Sequence, residues 1–198
     1  MYNILALVGE AGSGKDTILR HLIDDTKHYY KGKLPLHEIV SYTSRPPREK
    51  EVDGVNYHFI TAEKFTEMIL QNQMFEATVF NEWCYGTGIE SVKENAINIG
   101  VFNPEGAETL LHDKRVNLVI VYINANDKIR LIRQLNREVN PDIDEIIRRY
   151  KADKIDFEDV DDLCNWLYVN NTPAELECIY KDLALFLSRW SEHPDTTY

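Results

Sequence analysis

The stretch Gly9 to Thr17, "GEAGSGKDT", decides the fold. Gly9, Gly14 and Lys15 have the spacing G-x-x-x-x-G-K of a phosphate loop. Asn3–Val8 before it is a short aliphatic run, and Ile18, Leu19, Leu22 and Ile23 after it recur at helical spacing. A strand, a glycine turn and a helix over Thr17–Ile23 are therefore expected. Such a loop needs glycines because backbone N–H groups must converge on phosphate oxygens with no side chain in the way. It needs Lys15 because a cation must reach the terminal phosphates. Asp16 stands where a hydroxyl usually meets a magnesium ion, and Thr17 is the next candidate. Two readings are open: Asp16 coordinates Mg²⁺ directly or through water, or it only complements the positive end of the helix while Thr17 touches the ion.

Working outward, further apolar strands are expected at Glu38–Tyr42, Ile97–Phe102, Val116–Ile123 and Trp166–Val169, with helical patterns between several of them. Strands buried on both faces and alternating with helices imply an α/β fold with a parallel sheet flanked by helices, of the P-loop NTPase type. Two stretches interrupt the alternation. One, at about 41–87, is rich in aromatic and polar residues, includes a helix over Ala62–Gln73 capped by Thr61, and reads as an inserted subdomain. The other, at about 127–159, is dense in arginine, is divided near Asn140 and Pro141, and reads as a helical lid. The core of one domain is then 1–40, 88–126 and 160–198. Its last helix has Pro173 in the first turn and Leu183, Phe186 and Trp190 for packing, with Trp166 on the strand before it.

Length and charge agree with one soluble domain. The 198 residues carry 22 Lys and Arg against 33 Asp and Glu, a net charge of −11. That balance argues against nucleic acid or an anionic membrane as partner. Cys84, Cys164 and Cys178 lack metal-ligand spacing and read as reduced thiols of a cytoplasmic protein. The N-terminal apolar run has neither a basic region before it nor a cleavage pattern, so a strand is expected there rather than a signal peptide. The oligomeric expectation is a monomer or a homodimer.

The segment Ser41–Phe59, "SYTSRPPREKEVDGVNYHF", places two arginines three apart before a glycine turn and a tyrosine. Two guanidinium forks and a phenol suit a dianionic phosphate. The segment resembles the guanylate kinase family, whose corresponding pattern is S-x-T-x-R-x-x-R-x-x-E-x-x-G-x-x-Y-x-F. "MFEATVF" and "YGTGIESVK" resemble that family's base-binding stretch and "RQLNR" its lid, so the resemblance runs from Asn3 to about Asn170.

The resemblance implies an enzyme that moves a phosphoryl group from ATP, with Mg²⁺, to GMP or dGMP. It assigns Gly9, Glu10, Ala11, Gly12, Ser13, Gly14, Lys15, Asp16 and Thr17 to ATP, with Asn170 at the donor adenine or, alternatively, as a helix cap. It assigns Ser41, Arg45, Arg48, Tyr57 and Tyr85 to the acceptor nucleotide, mostly its phosphate. Glu76 is expected to accept from the guanine N1–H and amine, with Thr87 near O6. Lys15, Arg45, Arg133, Arg137 and Arg149 are the expected catalytic cations, with Arg148 as a neighbouring alternative to Arg149. Arg133 and Arg137 lie four apart and are expected on one helix face; without the phosphate loop they would read as a solvated face paired with Asp127 or Glu138.

Besides Asp16 in the loop, the sequence departs from the family at a strand end. A strand end of the form D-x-D is expected, and "GVFNPEG" puts Val101 and Asn103 there instead. Asn103 still offers a carbonyl oxygen to an exocyclic amine, while Asp16 is expected to restore negative charge near the metal. The alternatives are a kinase for another nucleoside monophosphate or a sugar phosphate, or a silent module that binds partner proteins. The missing acids favour the first of these, Glu76 and Thr87 oppose it, and the intact loop opposes the second.

Overall fold

The computed structural model describes residues 1–24, 29–48, 51–80, 82–137 and 139–196. Strand β1 (Tyr2–Val8) runs parallel to two neighbours, and its side chains alternate between two cores. Leu5 and Leu7 face one side, where helices α1 (Lys15–Asp24) and α6 (Pro173–Glu192) pack. Ile4, Ala6 and Val8 face the other, against helix α3 (Pro104–Leu111). With both faces covered, every position of β1 from Ile4 to Val8 is free to be apolar, which is why the sequence shows a continuous run.

The remaining strands extend this pattern. β2 (Leu36–Glu38), β7 (Ile97–Phe102), β8 (Val116–Asn124) and β9 (Trp166–Val169) join β1 in the order β2-β7-β1-β8-β9, with each neighbouring pair parallel. A second sheet of mixed direction lies in the insert: β3 (Tyr42–Thr43), β4 (His58–Phe59), β5 (Met74–Phe80) and β6 (Trp83–Gly88), in the order β4-β3-β6-β5. Helix α2 (Ala62–Leu70) covers it and places Phe65 and Met68 against Tyr42. The Thr61 side chain caps α2, and the helix stops short of Gln73 because Asn72 takes a left-handed φ of 54°.

The strand expected over Glu38–Tyr42 is two strands in two sheets. Ile39 is buried in the main core and its N–H bonds the Ile99 carbonyl, whereas Tyr42 is buried in the insert. The apolar run is continuous because the chain passes directly from one core to the next. After β8, helices α4 (Asp127–Leu135) and α5 (Ile143–Asp156) fall on either side of Asn140 and Pro141. Helix α6 opens on a capping box between Thr172 and Glu175 and buries Leu183, Leu187 and Trp190 completely.

Candidate active site

The glycine loop lies between β1 and α1. Gly12 and Gly14 have φ of 81° and 97°, a region that L side chains rarely adopt. A Cβ on Gly14 would also lie 2.4 Å from Asn170 Nδ2. Lys15 starts α1, with its Nζ 3.9 Å from the Asp16 carboxylate. Asp16 and Thr17 are exposed in the first helical turn.

The outer side of the loop is held by side chains from elsewhere. Asn170 is buried and donates to the Ser13 carbonyl at 2.8 Å; the cap of α6 is Thr172, which removes the helix-cap reading of Asn170. Arg133 Nη1 donates to the carbonyls of Gly12 and Ser13, both at 3.2 Å. Burial holds the Arg133 pKa below its usual value. The Glu10 side chain is buried and bonded to Arg130 at 2.7 Å and to the Tyr122 hydroxyl at 3.1 Å, which leaves only its backbone for the expected ATP contact.

On the opposite side, the insert gathers Arg45, Arg48, Tyr57 and Tyr85. Arg45 Nη2 donates to both oxygens of Glu51, at 2.9 and 2.8 Å, and its guanidinium lies 5.7 Å from the ring centres of Tyr57 and Phe59. Burial opposes the charge on Arg45, but Glu51 outweighs it and the pKa is raised. Arg48 goes the other way. Burial first, then repulsion from Arg149 and Arg45 with a smaller part from Arg137, pulls its pKa down against the attraction of Glu51. Cations from the insert and from α5 thus share one electrostatic neighbourhood. The Tyr57 phenol is pushed up by burial and next by the charge of Asp16, so the loop carboxylate and the insert also sense each other. Ser41 stands at the entrance to β3, where its carbonyl accepts from the His58 N–H.

Glu76 on β5 pairs in register with Thr87 on β6 and is buried. Burial pushes its carboxyl up to about 7, while Thr87 offsets part of that rise and Glu105 adds to it. The Thr87 hydroxyl lies close to Glu76 yet makes no hydrogen bond of ordinary geometry. The Asn103 carbonyl oxygen is not held out toward a base: it caps α3 by accepting from Gly106 N–H at 2.8 Å, and Asn103 Nδ2 donates to Thr78 at 3.1 Å. An Asn before a proline at N1 is a strong N-cap, and here the helix takes the oxygen. Beside it opens a cavity of about 570 Å³ whose lining includes Glu105, Glu108, Asp156 and Asp159. That lining repels phosphate and leaves the arginine side as the place for polyanions.

Arg133 and Arg137 do not share a helix face. α4 ends at Leu135 with Asn136 as its C-cap, and Arg137 lies beyond it. Arg148 and Arg149 both bond Glu145, at 2.6 and 2.7 Å, and hold its carboxyl down at about 2, Arg148 contributing most. Asp127 bonds Arg130, Tyr150 and Lys154, while Glu138 lies outside the described residues. Three further residues matter to the site. Glu51 holds Arg45, and its signal was the acid of the quoted segment pattern, six residues after that arginine. Arg130 and Asp153 hold the loop, and their signal was the acid Glu10 inside a glycine turn.

The phosphate loop and the arginines of the insert and of α5 lie within electrostatic reach of one another, and the insert also buries the carboxyl group of Glu76. This arrangement suits two phosphorylated ligands end to end. A sequence profile described as Guanylate kinase matches residues 1–189. Over 171 residues the chain is 29% identical to the guanylate kinase of Mycoplasma genitalium, covering 84% of this chain and 67% of that protein. Over 176 residues it is 30% identical to the guanylate kinase of Sulfurimonas denitrificans, covering 87% and 82%. A solved guanylate kinase from Anaplasma phagocytophilum superposes with a TM-score of 0.63 at 17% identity, over 99% of this chain and 87% of that one, which speaks to the fold.

Proposed function

The chain belongs to the guanylate kinase family, and from that premise we propose that it transfers the γ-phosphoryl group of ATP to GMP or dGMP. The observation that carries the reading at the site is the setting of Arg48, whose basicity is lowered first by burial and then by the nearby charges of Arg149, Arg45 and Arg137. A cluster of like charges costs energy until an anion enters it, and the transferring group is such an anion.

In this reading the loop amides and Lys15 grip the donor phosphates. Arg45, Arg48, Tyr57 and Tyr85 hold the acceptor phosphate, with Ser41 beside them. Arg137 and Arg149 neutralise charge that develops between the two, and Arg133 adds its charge through the loop carbonyls it holds. Phosphoryl transfer asks the protein mainly for in-line positioning and positive charge, and the acceptor phosphate is itself the nucleophile, so no general base is required. Glu76 and Thr87 read the guanine edge. Asn103 spends its oxygen on α3, so Glu76 carries most of the discrimination.

Mg²⁺ is a hard ion that takes one or two protein oxygens together with phosphate oxygens and water. The exposed Asp16 carboxylate and Thr17 hydroxyl fit that demand at the loop's end, and among the described residues no cluster of three or more His, Cys, Asp or Glu offers a cage. When bound, the ion supplies neutralisation of the phosphate oxygens. Asp16 stands in for the acids absent at 101 and 103. We place the protein in a cytoplasmic setting, supported by the free Cys84, Cys164 and Cys178; among the described residues no helix is long and apolar enough to cross a membrane.

A coupled ADP-release assay with ATP and each of the eight common ribo- and deoxyribonucleoside monophosphates tests the reading. GMP and dGMP are expected to turn over fastest. Preference for another base overturns the role of Glu76, and no turnover on any of them overturns the enzyme. The same assay titrated with Mg²⁺ is expected to show a higher requirement for Asp16→Ser; an unchanged requirement removes Asp16 from the metal.

A further inference from the structure

Arg130 is completely buried, although a sequence reader would leave it on the solvent face of a polar helix. Its guanidinium reaches the glycine loop. Nε donates to the Ala11 carbonyl at 3.1 Å and Nη1 to Glu10 at 2.7 Å. The same group bonds Asp127 on its own helix at 3.1 Å and Asp153 on α5 at 2.9 Å. Asp153 in turn accepts the Ala11 N–H at 2.8 Å. Ala11 is therefore held at both ends, its N–H by α5 and its C=O by α4.

We propose that Arg130 is a positioning residue that, with Asp153, sets the affinity of the phosphate loop for ATP from the lid side without touching the nucleotide. The inference rests on the ATP-binding role proposed above. Its logic is the disposition of the loop's polar groups. The carbonyl of Ala11 is taken by Arg130 and Gln134, those of Gly12 and Ser13 by Arg133, and that of Ser13 also by Asn170. A short loop whose carbonyls are pinned behind it must present its remaining N–H groups in front, which is the geometry that binds phosphate.

The arginine backbone takes part as well. A Cβ on Gly12 would lie 2.6 Å from the Arg130 carbonyl oxygen, so α4 and the loop are packed against each other at this point. The Arg130 guanidinium explains why an acid is tolerated at position 10, despite the repulsion of Asp153. Burial pushes Glu10 toward its neutral form, and Arg130 is the largest influence pulling it back. Lysine could replace the charge but not the fork, because an ammonium cannot face the Ala11 carbonyl, Glu10 and Asp153 from one plane.

The test is isothermal titration of the full chain with Mg·ATP alone and, separately, with GMP alone, beside a thermal melt. Arg130→Met is expected to weaken ATP binding by about tenfold, the loss of one charged hydrogen-bonded anchor. Asp153→Ala is expected to lose less. Asp153→Asn, which keeps an acceptor for the Ala11 N–H, recovers part of that loss, as Arg130→Lys recovers part of the methionine variant's. GMP affinity stays within twofold of wild type in every folded variant. A purely structural role would lower the melting temperature and leave the ATP affinity of the folded protein unchanged, and that result overturns the proposal. Should Arg130→Met fail to fold, the Asp153 pair decides the matter in the same way. Wild-type protein that binds no ATP would overturn the functional reading and this inference together; wild-type binding with unaltered variants overturns only this inference.

Discussion

A carboxyl group that titrates near neutrality inside its pocket makes base recognition a proton-linked event. In the role proposed for it, Glu76 must be ionised to accept from two guanine donors, and burial pushes its pKa up to about 7. The KM for GMP is therefore expected to fall about tenfold between pH 6 and pH 8 as the proton leaves. Glu76→Gln should flatten that component and leave only the titration of the nucleotide phosphate; steady-state kinetics across the range check it. The same shift affects stability. The folded pKa lies above the unfolded value of 4.5, so the folded chain holds a proton that the unfolded chain has released. Stability is lost as pH rises from about 4.5 through about 7, with a penalty of about 3 kcal/mol above that window. Glu76→Gln should accordingly raise the melting temperature at pH 8 and change it little at pH 4, which calorimetry reads directly.

At the scale of elements, α6 shows how local signals and tertiary packing cooperate. Thr172 accepts from the Glu175 N–H at 3.2 Å while Glu175 reaches back to Thr172 N–H at 2.8 Å. Thr172→Ala is expected to cost about 1 kcal/mol in denaturant unfolding and leave both KM values unchanged. That helix, the phosphate loop and the parallel strands were legible in the sequence because each is encoded locally: a cap with proline behind it, glycines at fixed spacing, unbroken aliphatic runs. What was not legible depended on contacts distant in sequence. Nothing in "IVSY" marks the point where the chain leaves one core for another. An arginine at position 130, set between Ile129 and Leu131, shows no partner in the local sequence until Glu10 and Asp153 are brought to it from 120 and 23 residues away. Asn103 matched the position of a base-reading acid, and it took the structure to reveal that α3 had claimed its oxygen.

For the molecule as a whole, a net charge of −11 coexists with a concentration of arginine between the insert and α5. Inorganic phosphate at a few millimolar is expected to raise the melting temperature in low-salt buffer, by roughly 2–4 °C per kcal/mol of binding energy. Arg48→Met should remove most of that gain, and equal ionic strength made up with chloride should not reproduce it. Differential scanning fluorimetry separates these cases.

The two sheets are joined by crossings that lie side by side. The outgoing chain between β2 and β3 accepts at the Val40 carbonyl a hydrogen bond of 2.9 Å from Ser91 on the return path, and Tyr42 bonds Glu90 just inside the insert. The insert is nevertheless welded to the body of the molecule, since Phe75 of β5 is buried in the main core against Tyr2 and Thr78 accepts from Asn103, so a disturbance on either side of the crossing is felt on the other.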